Sequence, residues 1–544
     1  MRQTFIIAIL FLSLAEARAQ DTTRRKQVTV TSAFKPVLKE AAKINFGATP
    51  PTADTAKPRL QYSIPAQNLQ FAYQPGTLKP LALSIDTGGV WDTWNYAKIG
   101  YGTLKTPYLE TGLSLGDGKN AGLNVYGKHI SSKGKIENQD FGYTAVELNG
   151  FVRTGQNTEL SGRFGVKDEQ YKKYGYVPST LVFDKDSLKL NYATMSGRLA
   201  LRNIARTEFG ISYAPEVKVD IFTGYPNNRE TNGYINLPVR KSLTERFEAE
   251  IALEGAFTNY NPSSKNDSKS NYFTIAPSLF VKTTGLYLQA GIKPTWENGS
   301  FKLFPNVMGE LSSSDKKLTL MAGWIGHVRI NSYQSLAEYN PWIWAPNTIT
   351  NSRIEEVYAG LKGAVTDHFN YMVKAGVNKY TNQPLFLNDT VAGGKSFMVM
   401  YEPDMKSINV HGELGYTVGD KFSLKTGLTL NKYAGVDVAD KPWGLLPLEF
   451  NTTIRLQVLK DLYFKSDLYA FSAPWYRTKA AGSGKLPGAL DLNAGLEFAI
   501  VKNVKLWAQF NNILNNSYER WKQYPVYGFN FLGGVVFSLA QNKK

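Results

Sequence analysis

Beyond about residue 95, short and long connections alternate between strands whose side chains alternate in polarity, and that double pattern leaves few folds open. The short connections carry turn residues: Gly155-Gln156-Asn157, Ser242-Leu243-Thr244, Thr284-Gly285, Ser314-Asp315-Lys316, Asp367-His368, Gly419-Asp420, Lys460-Asp461 and Lys502-Asn503. The connections between them are mostly longer, at roughly 133–141, 168–187, 223–231, 260–270, 332–352, 381–405, 434–443, 474–487 and 513–526; those near Thr106 and Asn298 are short. Tight turns on one side and long loops on the other suit a membrane-spanning barrel. A sandwich has no reason to keep that asymmetry.

The strands carry the matching dyad. In 448–458, Leu448, Phe450, Ile454, Leu456 and Val458 oppose Glu449, Asn451, Arg455 and Gln457. In 247–257, Phe247, Ala249, Ile251, Leu253 and Phe257 oppose Glu248, Glu250 and Glu254. The same alternation sets Glu413 in 408–418 and Glu497 in 490–500 against apolar neighbours, and places Lys425 in this polar register. A Lys or Arg turned to lipid at the midplane costs about 2–4 kcal/mol. The charged register is therefore expected to face the lumen as a solvated wall: Glu248, Glu250, Glu254, Glu413, Lys425, Glu449, Arg455 and Glu497. In 188–201 the apolar register slips near Thr194, where a bulge would account for it.

Counting from Tyr96 to Leu539 gives about 22 strands, provided that 397–401 belongs to an outer loop. The predicted fold is all-β, a transmembrane antiparallel barrel over 91–544. The last strand, 527–539, sets Tyr527, Phe529, Phe531, Gly533, Val535, Phe537 and Leu539 on one face, as a closing strand and assembly signal with interfacial aromatics would. It is expected to pair with a first strand near 96–104.

The N-terminus carries a secretory signal: Arg2, an apolar run over 5–14, and the small-x-small site Ala17-Arg18-Ala19, with cleavage before Gln20. Cysteine is absent, which excludes disulfides, thiolate metal sites and a Cys nucleophile. His129, His327, His368 and His411 have no metal-ligand spacing. The net charge of +17 is spread along the chain, so contact with anionic headgroups or surface polymers is preferred over nucleic-acid binding. Residues 20–90 are Pro-rich, with Pro50, Pro51, Pro58, Pro65, Pro75 and Pro80 interrupting any long element. They read as a periplasmic segment, either tucked against the barrel or free.

The stretch Phe510-Asn511-Asn512-Ile513-Leu514, with Tyr518 a few residues on and a glycine-bearing last strand, resembles the C-terminal end of TonB-dependent receptor barrels. The chain is also similar to TonB-receptor-like outer-membrane proteins of Bacteroidota, through Val28-Thr29-Val30 followed by Ala33-Phe34-Lys35-Pro36. The resemblance implies solute binding or transport across the outer membrane. It implies outer-membrane lipid, the barrel-assembly machinery and a TonB-like protein or other envelope proteins as partners. One departure stands out: those receptors carry a folded plug, and only 20–90 is available here.

No phosphate loop, paired-carboxylate motif or nucleophile elbow occurs, so neither an enzyme nor a cofactor is expected. The outer loops hold rigid aromatics: Tyr333, Tyr339, Trp342 and Trp344; Tyr171, Tyr174 and Tyr176; Trp475 and Tyr476. Such faces stack on sugars or anchor a partner, and they also seal loops over a mouth. A barrel subunit that anchors an envelope complex is the alternative to a transporter.

Overall fold

The computed structural model describes residues 94–540, except 156, 264–266, 391–392, 420 and 479–481. The signal sequence, the 20–90 segment with its Val28-Thr29-Val30 motif, and residues 541–544 lie outside the described residues.

One large antiparallel sheet contains 23 ladder segments. Two of these, Ile211–Tyr213 and Glu216–Gly224, are one strand: Tyr213↔Val239 and Glu216↔Asn236 keep the same register against Asn228–Ser242. Pro215 interrupts it, having no N–H to give the ladder. Taking the pair as one leaves 22 strands. The first, Trp94–Gly102, pairs with the last, Asn530–Ala540, from Trp94↔Ala540 to Gly102↔Leu532, and the barrel closes. Phe397–Glu402 pairs with Gln383–Asn388 in a separate sheet, so it belongs to an outer loop as the even count requires.

Burial is inverted relative to a water-soluble protein. In strand Phe247–Asn261, Ile251 is 56% exposed and Phe257 46%, while Glu248 is 4% exposed. The exposed register on every side is apolar: Ile99, Val146, Leu199, Val219, Leu279 and Val373 belong to it. Such a belt needs an apolar solvent.

Three expectations change. The strand Lys189–Asn203 has no bulge, since its ladder with Thr158–Lys172 runs unbroken from Thr158↔Asn203 to Lys172↔Lys189. Its apparent slip marks the outer rim, where Leu190 and Tyr192 turn inward onto apolar loops instead of a wet lumen. The closing strand begins at Asn530, so Tyr527 is not on its lipid face. Tyr527 is buried in the preceding loop, where its hydroxyl donates to the Gln139 carbonyl at 2.7 Å. Finally, strands extend into four of the expected outer connections, which shrink to 134–139, 173–188, 225–227 and 262–267.

Candidate functional site: a canopy of interlocked outer loops

The long connections fold onto one another. They carry a helix at Tyr333–Tyr339 and hairpins at Gln383–Asn388/Phe397–Glu402, Trp475–Arg477/Ser483–Lys485 and Glu519–Trp521/Tyr524–Pro525. Tyr192, Phe222 and Tyr260, from the tops of the strands, meet Tyr174, Tyr333, Trp342, Phe386, Phe397, Trp521 and Tyr524 from the loops in one buried aromatic core. Ring centroids lie 4.2 Å apart for Trp342 and Tyr524, and 5.2 Å for Phe222 and Tyr333. Each such pair adds about 0.5–1.5 kcal/mol beyond area burial. The loops therefore behave as a packed canopy.

Two buried carboxylates latch it. Glu230, on a barrel strand, accepts the backbone N–H of Tyr333 at 2.5 Å and of Gln334 at 3.1 Å, satisfying the first turn of the loop helix. Ser332 caps the same helix, accepting from the Ser335 N–H at 3.1 Å. Glu402 accepts from the N–H groups of Asp437, Val438 and Ala439, at 2.8, 3.1 and 2.7 Å, and so docks the 435–447 connection on the neighbouring hairpin. Both carboxylates are at most 1% exposed. No motif marks them, because their partners lie 103 and 37 residues away for Tyr333 and Ala439.

The Asn511-Asn512 step acquires a physical reason. The Asn511 side chain donates to Asn530 Oδ1 at 2.8 Å, tying the penultimate strand to the last. Asn512 adopts φ +46°, which Asn tolerates, and its amide donates to the carbonyls of Asn516 and Tyr527 at 2.8 Å each.

The sequence-selected aromatics divide by burial. Tyr333, Trp342 and Tyr174 are buried in the canopy core, with Tyr171 packed against it. Tyr176 packs edge-on against Phe183. Tyr339 and Trp344 keep 38% and 41% of their surface open. The ammonium groups of Lys441 and Lys485 stand 5.1 and 4.6 Å from the Trp475 ring centroid, and that of Lys522 stands 4.9 Å from the Tyr476 ring centroid.

The selected charged residues lie on the face opposite the apolar belt, several in ion pairs. Glu248 meets Arg206, Lys282 and Arg240; Glu250 meets Arg240 at 2.8 Å; Glu254 meets Lys293 at 3.0 Å. Glu413 receives His411 at 3.0 Å, Glu497 receives Lys98 at 3.4 Å, and Glu449 accepts from the Tyr469 hydroxyl at 3.4 Å. Lys425 and Arg455 share that inner face on adjacent strands, paired with Thr453 and Ser423 respectively.

No family model matches this sequence. No curated protein matches it either. Solved structures do match its fold. A mutant of the ferric enterobactin receptor PfeA from Pseudomonas aeruginosa superposes with a TM-score of 0.61 at 12% identity, over 83% of this chain and 81% of that one. The siderophore receptor PirA from Acinetobacter baumannii gives 0.62 at 10%, over 82% and 80%. The FrpB iron transporter from Neisseria meningitidis gives 0.63 at 9%, over 83% and 82%. At such identities the likeness is one of fold: this chain is built as those barrels are.

Proposed function

We propose that this chain is an outer-membrane receptor-like barrel that binds a solute at its loop canopy and passes it inward. The observation that carries the reading is the combination of a closed 22-strand wall, charged within and apolar without, and a packed roof of loops at one end. An open diffusion pore has no need of such a roof. The match in fold to receptors and to an iron transporter supports the same reading.

On this account residues 1–19 direct export and are removed near Ala19, and 20–90 form a periplasmic gate. A TonB-like protein would engage the Val28-Thr29-Val30 stretch. The barrel-assembly machinery would read the closing strand through Phe531, Phe537 and Leu539, with Phe529 just ahead of it, and outer-membrane lipid would cover the apolar belt. No enzymatic step is part of it.

Single-channel recording of the full chain and of a variant lacking 20–90 tests the reading. The deletion is expected to raise conductance and non-selective solute uptake. Unchanged conductance and uptake would remove the gate. A permanently closed barrel recovered in fixed stoichiometry with other envelope proteins would favour an anchoring subunit.

A further inference from the structure

Two lysines in the canopy are buried together. Lys173 follows the end of strand Thr158–Lys172, and Lys395 precedes the hairpin strand Phe397–Glu402; they are 5% and 7% exposed. The Lys173 ammonium stands 4.2 Å from the centroid of the Trp344 ring. That of Lys395 lies 3.9 Å from the Phe183 ring and 6.0 Å from Trp344. Tyr176 packs edge-on against Phe183 at 5.0 Å and closes the cluster. The hydroxyl of Tyr524 donates to the Lys395 carbonyl, fixing that segment from below.

Several other buried or half-buried cations meet carboxylates: Arg353 meets Glu297, Lys167 meets Glu169 and Glu338, and Lys374 meets Glu356. Lys173 instead feels the charge of Lys395, and the one described carboxylate acting on either is Asp389, which acts on Lys395. Aromatic faces return about 0.5–2 kcal/mol to a cation, whereas burying an ammonium without a counter-ion costs several. Like charges in one enclosure add to that cost. The deficit is one negative charge.

We propose that Lys173 and Lys395, walled by Trp344, Phe183 and Tyr176, form an oxyanion-binding site in the canopy, which takes the phosphate, sulfate or carboxylate end of a small soluble solute. Two ammonium groups offer up to six N–H donors to tetrahedral or planar oxygens. Trp344 provides the approach, since that residue is 41% exposed. The site belongs to the roof of the barrel and stands whether or not the barrel conducts. The binding test below and the conductance test above therefore fail independently.

Inorganic phosphate, titrated calorimetrically into the full-length protein in detergent micelles, is the probe. Saturable binding of one equivalent is expected. Lys173→Met and Lys395→Met, which keep the volume and remove the charge, are each expected to weaken it about ten-fold or more. Absence of saturable binding, or unchanged affinity in both variants, would overturn the proposal. Folding of each variant is checked by heat-modifiable migration on gels. Should a variant fail that check, hydrogen exchange on the wild type decides: phosphate is expected to slow exchange in 173–183 and 393–397. No slowing in either segment would equally overturn it.

Discussion

Gly100 and Gly534 face each other across the seam where the first strand meets the last, and the indole of Trp507 lies over Gly100 with its Nε1–H donating to the Ile99 carbonyl at 3.2 Å. A Cβ on Gly534 would stand 1.9 Å from the Ile99 oxygen, and one on Gly100 would stand 2.3 Å from the Trp507 ring. The first clash is with backbone, which cannot rotate away. Gly534→Val is therefore expected to abolish closure, read as loss of the heat-modifiable band on gels. Gly533→Ala meets Phe531 at 3.1 Å, a side chain that can shift, and should leave that band in place.

Adjacent residues on one strand should respond oppositely to change. Leu253 shares the outward register of Ile251 and Phe257, midway along its strand, and Glu254 points inward to Lys293. Leu253→Arg is expected to cost about 2–4 kcal/mol in folding into lipid vesicles. Glu254→Gln removes one wet ion pair and should cost about 0–1 kcal/mol. Denaturant titration of both variants checks the ordering, and equal costs would contradict a lipid-facing belt.

Such alternation is legible because each strand states it locally: Phe247 against Glu248, or Leu448 against Glu449, needs no knowledge of distant neighbours. The loop status of Phe397–Glu402 was also within reach, since an even strand count excludes it from the wall. The outer rim was harder. There the inward face changes from water to packed aromatics, so Leu190 and Tyr192 mimic a register slip although the ladder is continuous. Tyr527 misleads in a similar way, extending the closing dyad on paper while its side chain is buried in a loop. Glu230, Glu402, Lys173 and Lys395 were out of reach for another reason: each acquires its meaning from segments far away in sequence.

The latches should govern the canopy without governing the barrel. Glu402→Ala removes the shared acceptor of the N–H groups of Asp437, Val438 and Ala439; Ala439 is the buried one of the three, and leaving its N–H without that acceptor costs about 1–3 kcal/mol. The 435–447 connection is expected to undock and become cleavable by trypsin at Lys441, while the barrel band on gels is retained. Glu230→Ala should speed hydrogen exchange over 332–340. Unaltered cleavage and exchange would show that the aromatic core holds the loops unaided.

The Lys173 ammonium has a pH signature. Burial, with the Lys395 charge added, brings its pKa from 10.5 to about 8, while the Asp389 carboxylate acts on Lys395 in the opposite sense. Between these two values the unfolded chain binds more protons than the folded one, so stability rises with pH. The cost is present in full below about pH 8 and is relieved as pH approaches 10.5. In phosphate-free buffer the wild type should gain melting temperature over that range relative to Lys173→Met. A constant difference between the two would contradict a charged, uncompensated Lys173.

Single-channel conductance in planar bilayers, recorded for the full chain and for the variant lacking 20–90, tests the central claim most directly. A gated receptor-like barrel predicts small or rare openings for the full chain and large, steady steps once the segment is gone. Identical traces from the two proteins, both closed, would contradict it.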